Sequence, residues 1–219
     1  MLKSYVIRQN NYTAAQKKSY DALSGSYIIP LSDEKLDFKK VYGNTNGITL
    51  EIGFGMGFAT ALIAEENPCK NYLGVEVHRP GIGKLLWEIE KRSLSNIRII
   101  EHDAVIVVEK MIDKNSLDAV HIFFPDPWQK RRHHKRRLIQ RPFTEILANC
   151  ISPGGYFYMV TDWEDYANHA MNELKQCVLL ENEFEDFAPS QSWRPVTKFE
   201  KKGLEKNHRI RELFFKRII

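Results

Sequence analysis

Three glycines in five residues, Gly53, Gly55 and Gly57, end the short β-rich run ITLEIGFGMG at 48–57. Glycines so placed let the backbone approach a ligand closely at a helix N-terminus. About twenty residues farther on stands Glu76, the distance at which an acid accepts hydrogen bonds from ribose hydroxyls. Asp103 follows the next apolar run. The glycines alone are equally consistent with a tight turn; with Glu76 and Asp103 in register they point to a nucleoside-bearing ligand. Their spacing, G-x-G-x-G, is not the dinucleotide pattern G-x-G-x-x-G. Glu51 weighs further, because an acid beside the loop repels a pyrophosphate and favours a cation.

A second group of chemical residues lies in HIFFPDPWQKRRHHKRRL, at 121–138. Asp126 sits between two prolines, and both Phe124 and Asp126 precede a proline, which pushes them toward extended backbone. The loop should be stiff and Asp126 well positioned. The plainer alternative is a turn whose Trp128 fills the core. Lys130, Arg131, Arg132, Lys135, Arg136, Arg137 and Arg141 then follow with no acid among them, the electrostatic footprint of a polyanion. On a helix face such a block could equally be only solvated. His133 and His134 are adjacent, not four apart, so they suit phosphate or solvent better than a metal.

The elements that must position these residues alternate. Strand signals at 48–57, 71–77, 96–104, 117–124 and 154–161 are separated by helical spacing at 58–68, from Pro80, over VIVVEKMI, over LIQRPFTEILANC and over DWEDYANHAMNELKQCVL. RELFFKRI at 211–218 reads as a last, exposed-ended strand. The pattern predicts an α/β domain with a mostly parallel sheet covered by helices on both faces. In such sheets ligands bind outside the carboxyl ends of the strands, which is where the informative residues fall. With 219 residues, of which 43% are hydrophobic, the chain suffices for one large core. No apolar stretch approaches the length of a membrane span and the N-terminus lacks a secretory apolar segment, so a cytoplasmic protein is expected. Cys69, Cys150 and Cys177 lie far apart, without metal spacing, and read as reduced packing residues. Residues 1–45 carry weak periodicity and are expected to be partly disordered or to wrap a domain over 46–219.

The blocks LEIGFGMG (50–57), GVEVHRPGIG (74–83), HDA (102–104), FFPDPWQKRRHHKRRL (123–138), VTDW (160–163) and TKFEKKG (197–203) resemble those of the bacterial tRNA (guanine-N7)-methyltransferase family, over about 150 residues and in the family's order. The resemblance implies a Rossmann-like class I methyltransferase fold with an antiparallel last strand, and S-adenosyl-L-methionine as methyl donor, leaving S-adenosyl-L-homocysteine. It implies donor contacts at Glu51, Gly53, Gly55, Gly57, Glu76, Asp103, Ala104 and Asp126, with Asp126 also catalytic. Substrate contacts are implied at Lys130, Asp162, Thr197, Lys198, Phe199 and Glu200, and Arg131, Arg132, Lys135, Arg136 and Arg137 are candidates for tRNA phosphates. Either Asp162 or Glu200 could hold the guanine's Watson–Crick edge. The implied partner is tRNA, methylated at guanine 46 of the variable loop, with no metal or membrane and a monomer or homodimer as the working state. Two rivals are a methyltransferase acting on an exocyclic amine or a protein side chain, which the basic block disfavours, and a non-catalytic RNA-binding module, which has no use for four ligand-facing acids. A dehydrogenase is disfavoured by the glycine spacing and Glu51.

Overall fold

The structure, a computed structural model, describes residues 3–5 and 12–218. The chain forms two compact units. Residues 12–113, with Trp193–Pro195, make the first. It comprises helices α1 (Ala14–Tyr27) and α2 (Phe38–Tyr42), strand β1 (Ile48–Ile52), α3 (Phe58–Glu66), β2 (Asn71–Glu76), α4 (Arg79–Arg92), β3 (Ile97–Glu101) and α5 (Ala104–Met111). The strands run parallel in the order β3-β2-β1, with Leu50 opposite Leu73 and Gly74 opposite Ile99. Every residue of β1 is buried, as expected of a parallel strand covered on both faces. Leu50, Leu73, Ile82, Leu85, Leu86 and Ile89 are fully buried, each contributing about 1.5–3 kcal/mol by leaving water.

Helix α1 forms where the sequence shows little periodicity. Its start is fixed locally by a capping box: the Thr13 N–H donates to Gln16 Oε1 (2.9 Å) and the Gln16 N–H to Thr13 Oγ1 (3.3 Å). Its packing depends on a small residue opposite, since a Cβ at Gly83 of α4 would stand 2.5 Å from the Gln16 carbonyl oxygen. The Tyr20 hydroxyl completes the attachment by donating to Glu101 at the end of β3 (2.5 Å).

Residues 114–192 and 196–218, with residues 3–5, make the second unit. It holds β4 (Leu117–Phe123), a 3-10 helix over Arg131–Arg136, α6 (Phe143–Cys150), β5 (Ile151–Thr161), α7 (Glu164–Lys175), β6 (Leu180–Asn182), α8 (Lys198–Glu205) and β7 (Arg211–Arg217). The strand order is β4-β5-β7-β6. Strand β5 runs parallel to β4 (Val120 opposite Phe157), whereas β7 is antiparallel to both β5 (Tyr158 opposite Phe214) and β6 (Leu180 opposite Arg217). The final strand is therefore antiparallel but not exposed-ended: β6 covers its outer side. Three residues are too few for β6 to show an alternating pattern in sequence.

Three further expectations are corrected. The basic block is a six-residue 3-10 helix, whose three-residue turn sends cations in several directions and builds no single α-helical face. Phe124 does not take extended backbone before Pro125; it has φ 51°, while its N–H still donates to the Val160 carbonyl (2.8 Å), so the pairing to β5 continues one residue past β4. Of the cysteines, Cys150 and Cys177 are buried, but Cys69 is exposed.

Candidate functional site

In the first unit, β1 runs directly into the glycine loop. Gly53 (φ 75°), Gly55 (φ 57°) and Gly57 (φ 68°) are all left-handed, a conformation L side chains rarely adopt. A Cβ at Gly53 or Gly55 would meet no atom within 4 Å, so backbone conformation alone requires glycine there and leaves open space beside the loop. The Glu76 carboxylate staples the loop to the end of β2. One oxygen accepts from the Gly55 N–H (2.8 Å), the other from Val77 (2.7 Å) and His78 (3.0 Å). Asp103 caps α5 by accepting from the Val105 N–H (2.9 Å), and Ala104 is the helix's first residue. Glu51 is 3% exposed and makes no ion pair among the described residues. Burial, reinforced by the nearby Glu76 charge, pushes its carboxyl up to about 7. The buried Thr60 hydroxyl pulls the other way, although it has no hydrogen bond of ordinary geometry among the described residues.

Gly81 of α4 and Gly74 of β2 complete this loop, though neither stands out singly in the sequence. A Cβ built on Gly81 lands on the Gly55 carbonyl oxygen, inside any permitted contact. One on Gly74 stands 2.7 Å from the Phe54 ring. The available signal was a glycine within an otherwise helical pattern, which commonly marks a close packing contact.

In the second unit, β4 leads into the proline loop. Asp126 is exposed and accepts no hydrogen bond among the described residues. Lys130, Arg131, Arg132 and Lys135 are exposed as well. Trp128 is not a core residue. Its indole N–H donates to the Ser4 carbonyl (2.9 Å), its edge meets His133 (5.9 Å between ring centres) and the Arg136 guanidinium lies over its face at 3.8 Å. Arg136 also donates to the Lys3 (2.9 Å) and Tyr5 (3.1 Å) carbonyls, which engages two of its five N–H donors. Arg137 departs furthest from expectation. It is 1% exposed, with its guanidinium bonded to the Pro127 carbonyl (3.0 Å) and to Asp165, which removes it from the phosphate candidates.

Asp162 follows β5, with its carboxylate 3.1 Å from His208 Nδ1 and close against Gly203 of α8. Thr197 and Glu200 form a capping box at the start of α8: the Glu200 N–H donates to Thr197 Oγ1 (3.1 Å) and the Thr197 N–H to Glu200 Oε2 (3.4 Å). Glu200 is buried, Asp162 is partly exposed and Lys198 is exposed. Phe199 belongs to the same helix, its side chain outside those described. Within this unit, then, Asp162 and the TKFE segment are brought together through α8, whereas Glu200 is committed to the helix start.

Residues 45–213 match the model of a family described as putative methyltransferase. Among solved structures, the 16S rRNA methyltransferase KamB superposes with a TM-score of 0.60 over 84% of this chain and 95% of its own, at 13% identity. The antibiotic-resistance methyltransferase Kmr gives 0.57 over 84% and 92%, also at 13% identity, and both likenesses concern the fold. The tRNA (guanine-N(7)-)-methyltransferase of Nitrosomonas europaea is 48% identical over 99% of this chain and 96% of its own length, and that of Neisseria meningitidis is 48% identical over 99% and 91%. The glycine loop, the proline loop and the TKFE helix all fall within these matched spans, and the chain belongs to the tRNA (guanine-N(7)-)-methyltransferase family.

Proposed function

We infer that this chain transfers the methyl group of S-adenosyl-L-methionine to N7 of a guanine in tRNA, the variable-loop guanine at position 46. The reading is carried by the 48% identity, over nearly the whole of both chains, to proteins of that activity. The donor loop agrees with it. Glu51 is a buried acid with no ion pair among the described residues, and a donor bearing an ammonium and a sulfonium would supply a cation in a setting where burial strengthens the attraction. Gly53 and Gly55 leave a cradle that any side chain would begin to fill. Glu51 would hold the donor's ammonium group, Glu76 its ribose hydroxyls, and Asp103 with Ala104 its base.

When bound, the donor supplies an electrophilic methyl. Guanine N7 offers a lone pair and carries no proton, so this chain needs no strong base. Its residues must instead position the base and stabilise the positive charge that grows on it. Asp126 is the residue for the second task, a carboxylate on a stiff loop whose value lies in being preorganised. Asp162 is better placed than Glu200 to accept the guanine N1–H and N2–H, because the Glu200 carboxylate already caps α8. Lys130, Arg131, Arg132 and Lys135 would neutralise tRNA phosphates, which gives affinity and orientation but reads no bases. In this reading residues 46–219 form the methyltransferase domain and 1–45 its N-terminal extension. No helix among the described residues is long and apolar enough to cross a membrane, and the cytoplasm, where tRNA is found, is the proposed location.

Transfer of radiolabelled methyl to unmodified tRNA transcripts tests the reading. Label is expected on a transcript with guanine at the variable-loop position and not on one with adenine there. Label on both moves the target, and label on neither removes the activity.

A further inference from the structure

Asp126 has no hydrogen bond of its own among the described residues, and the prolines on either side of it have no N–H to donate. Something else must fix this carboxylate if it is to act as a preorganised group. The Pro127 carbonyl, on the next residue, is itself held. It accepts from Arg137 Nε at 3.0 Å, and Arg137 is the largest fully buried side chain described. The guanidinium is held from three further directions. It pairs with Asp165 in the first turn of α7, lies 3.2 Å from His134 Nε2, and sits 5.0 Å from the centre of the Tyr166 ring. The Tyr166 hydroxyl in turn accepts from the N–H groups of Leu138 (3.1 Å) and Ile139 (3.2 Å), pinning the chain just beyond Arg137. The Asp165 carboxyl is held below its ordinary range, chiefly by its hydrogen bond to Arg137.

We propose that Arg137 is a positioning residue: braced by Asp165 and Tyr166 of α7, its buried guanidinium holds the Pro127 carbonyl and thereby fixes the Pro125–Asp126–Pro127 loop. The proposal rests on the reading of Asp126 as the carboxylate at the reacting guanine. It separates two arginine roles inside one basic run. Arg131 and Arg132 are exposed and suited to phosphates, whereas a buried guanidinium with its donors engaged offers phosphate nothing. Lysine cannot replace it, because a single ammonium cannot span the carbonyl and the carboxylate in the planar geometry that guanidinium supplies.

The test compares Arg137→Lys, Asp165→Asn and Asp126→Ala for kcat at saturating tRNA, tRNA affinity and the salt dependence of that affinity. Arg137→Lys should lower kcat by about tenfold to a hundredfold, the scale for a small misplacement of a catalytic group, with tRNA affinity and its salt slope unmoved. The double variant Asp126→Ala/Arg137→Lys should be no slower than Asp126→Ala alone, since Arg137 acts through Asp126; a merely structural arginine would give additive losses. A weakened tRNA affinity with a flattened salt slope and unchanged kcat would make Arg137 a phosphate contact and overturn the proposal. If Arg137→Lys fails to fold, Asp165→Asn decides, because its side chain is 63% exposed and can be changed without opening the core. A few-fold fall in kcat at constant tRNA affinity supports the bracing, and wild-type kcat overturns it. Should Asp126→Ala keep full turnover, the reading of Asp126 fails first. If it loses turnover while Arg137→Lys and Asp165→Asn keep theirs, only the positioning role falls.

Discussion

The glycine loop after β1 and the proline loop after β4 both follow the carboxyl end of a parallel strand, yet they are held by opposite means. The glycine loop keeps its N–H donors, and the Glu76 carboxylate gathers one of them together with two from the end of β2. The proline loop has lost donors at Pro125 and Pro127, and is held by a carbonyl that a buried arginine grips. An acid organises the first and a cation the second, as the polarity of the available backbone groups requires. The acids they present differ in the same sense: Glu51 is buried with a raised pKa, and Asp126 is exposed.

If the proline loop carries the chemistry and the glycine loop the donor, substitutions should separate cleanly into kcat and donor affinity. The largest effect expected is that of Asp126→Ala, about 10²-fold or more in kcat at saturating donor, the scale for losing one preorganised electrostatic group. Near-normal turnover would end the assignment of chemistry to the proline loop.

Next comes Gly81→Ala, whose methyl collides with the Gly55 carbonyl. Overpacking of this kind costs about 1–3 kcal/mol, so donor affinity should fall about tenfold or more while tRNA affinity holds. Gly83→Ala strains the same helix against Gln16 of α1 instead, and should lower Tm while sparing the donor. Equal effects of the two on donor affinity would show that α4 acts only as a scaffold.

The smallest effect concerns pH. With its value near 7 in the folded chain, above the ordinary carboxyl range, Glu51 binds more protons folded than unfolded between these limits. Its stabilising contribution is thus complete at pH values below the ordinary carboxyl range and is lost as pH rises through about 7. A cationic donor selects the ionised form, so donor affinity should rise several-fold from about pH 6 to about pH 8. Glu51→Gln should abolish both slopes, which thermal melts and calorimetry across that range would measure. Slopes unchanged in Glu51→Gln would assign them to another group.

Much of the donor loop was legible in one dimension because its geometry is local. Left-handed turns demand Gly53, Gly55 and Gly57 wherever the loop lies, and Glu76 reaches Gly55 from the end of the next strand. Gly81 was missed because its necessity arises from a backbone atom some twenty-six residues earlier in the chain. The basic block misled in part because charge says nothing of burial: Arg131 and Arg137 look alike in a row of letters, and only packing against Tyr166 and Asp165 distinguishes them.

The sequence by itself determined the alternation of strands and helices, the conformation of the glycine loop, and the family, since periodicity, φ preference and motif spacing are all properties of neighbours along the chain. The tertiary structure alone decided which cation is buried, which acid is desolvated, which glycine abuts a carbonyl, and that β6 covers β7. Each of these depends on groups distant in sequence, and on the removal of water that only their packing brings about.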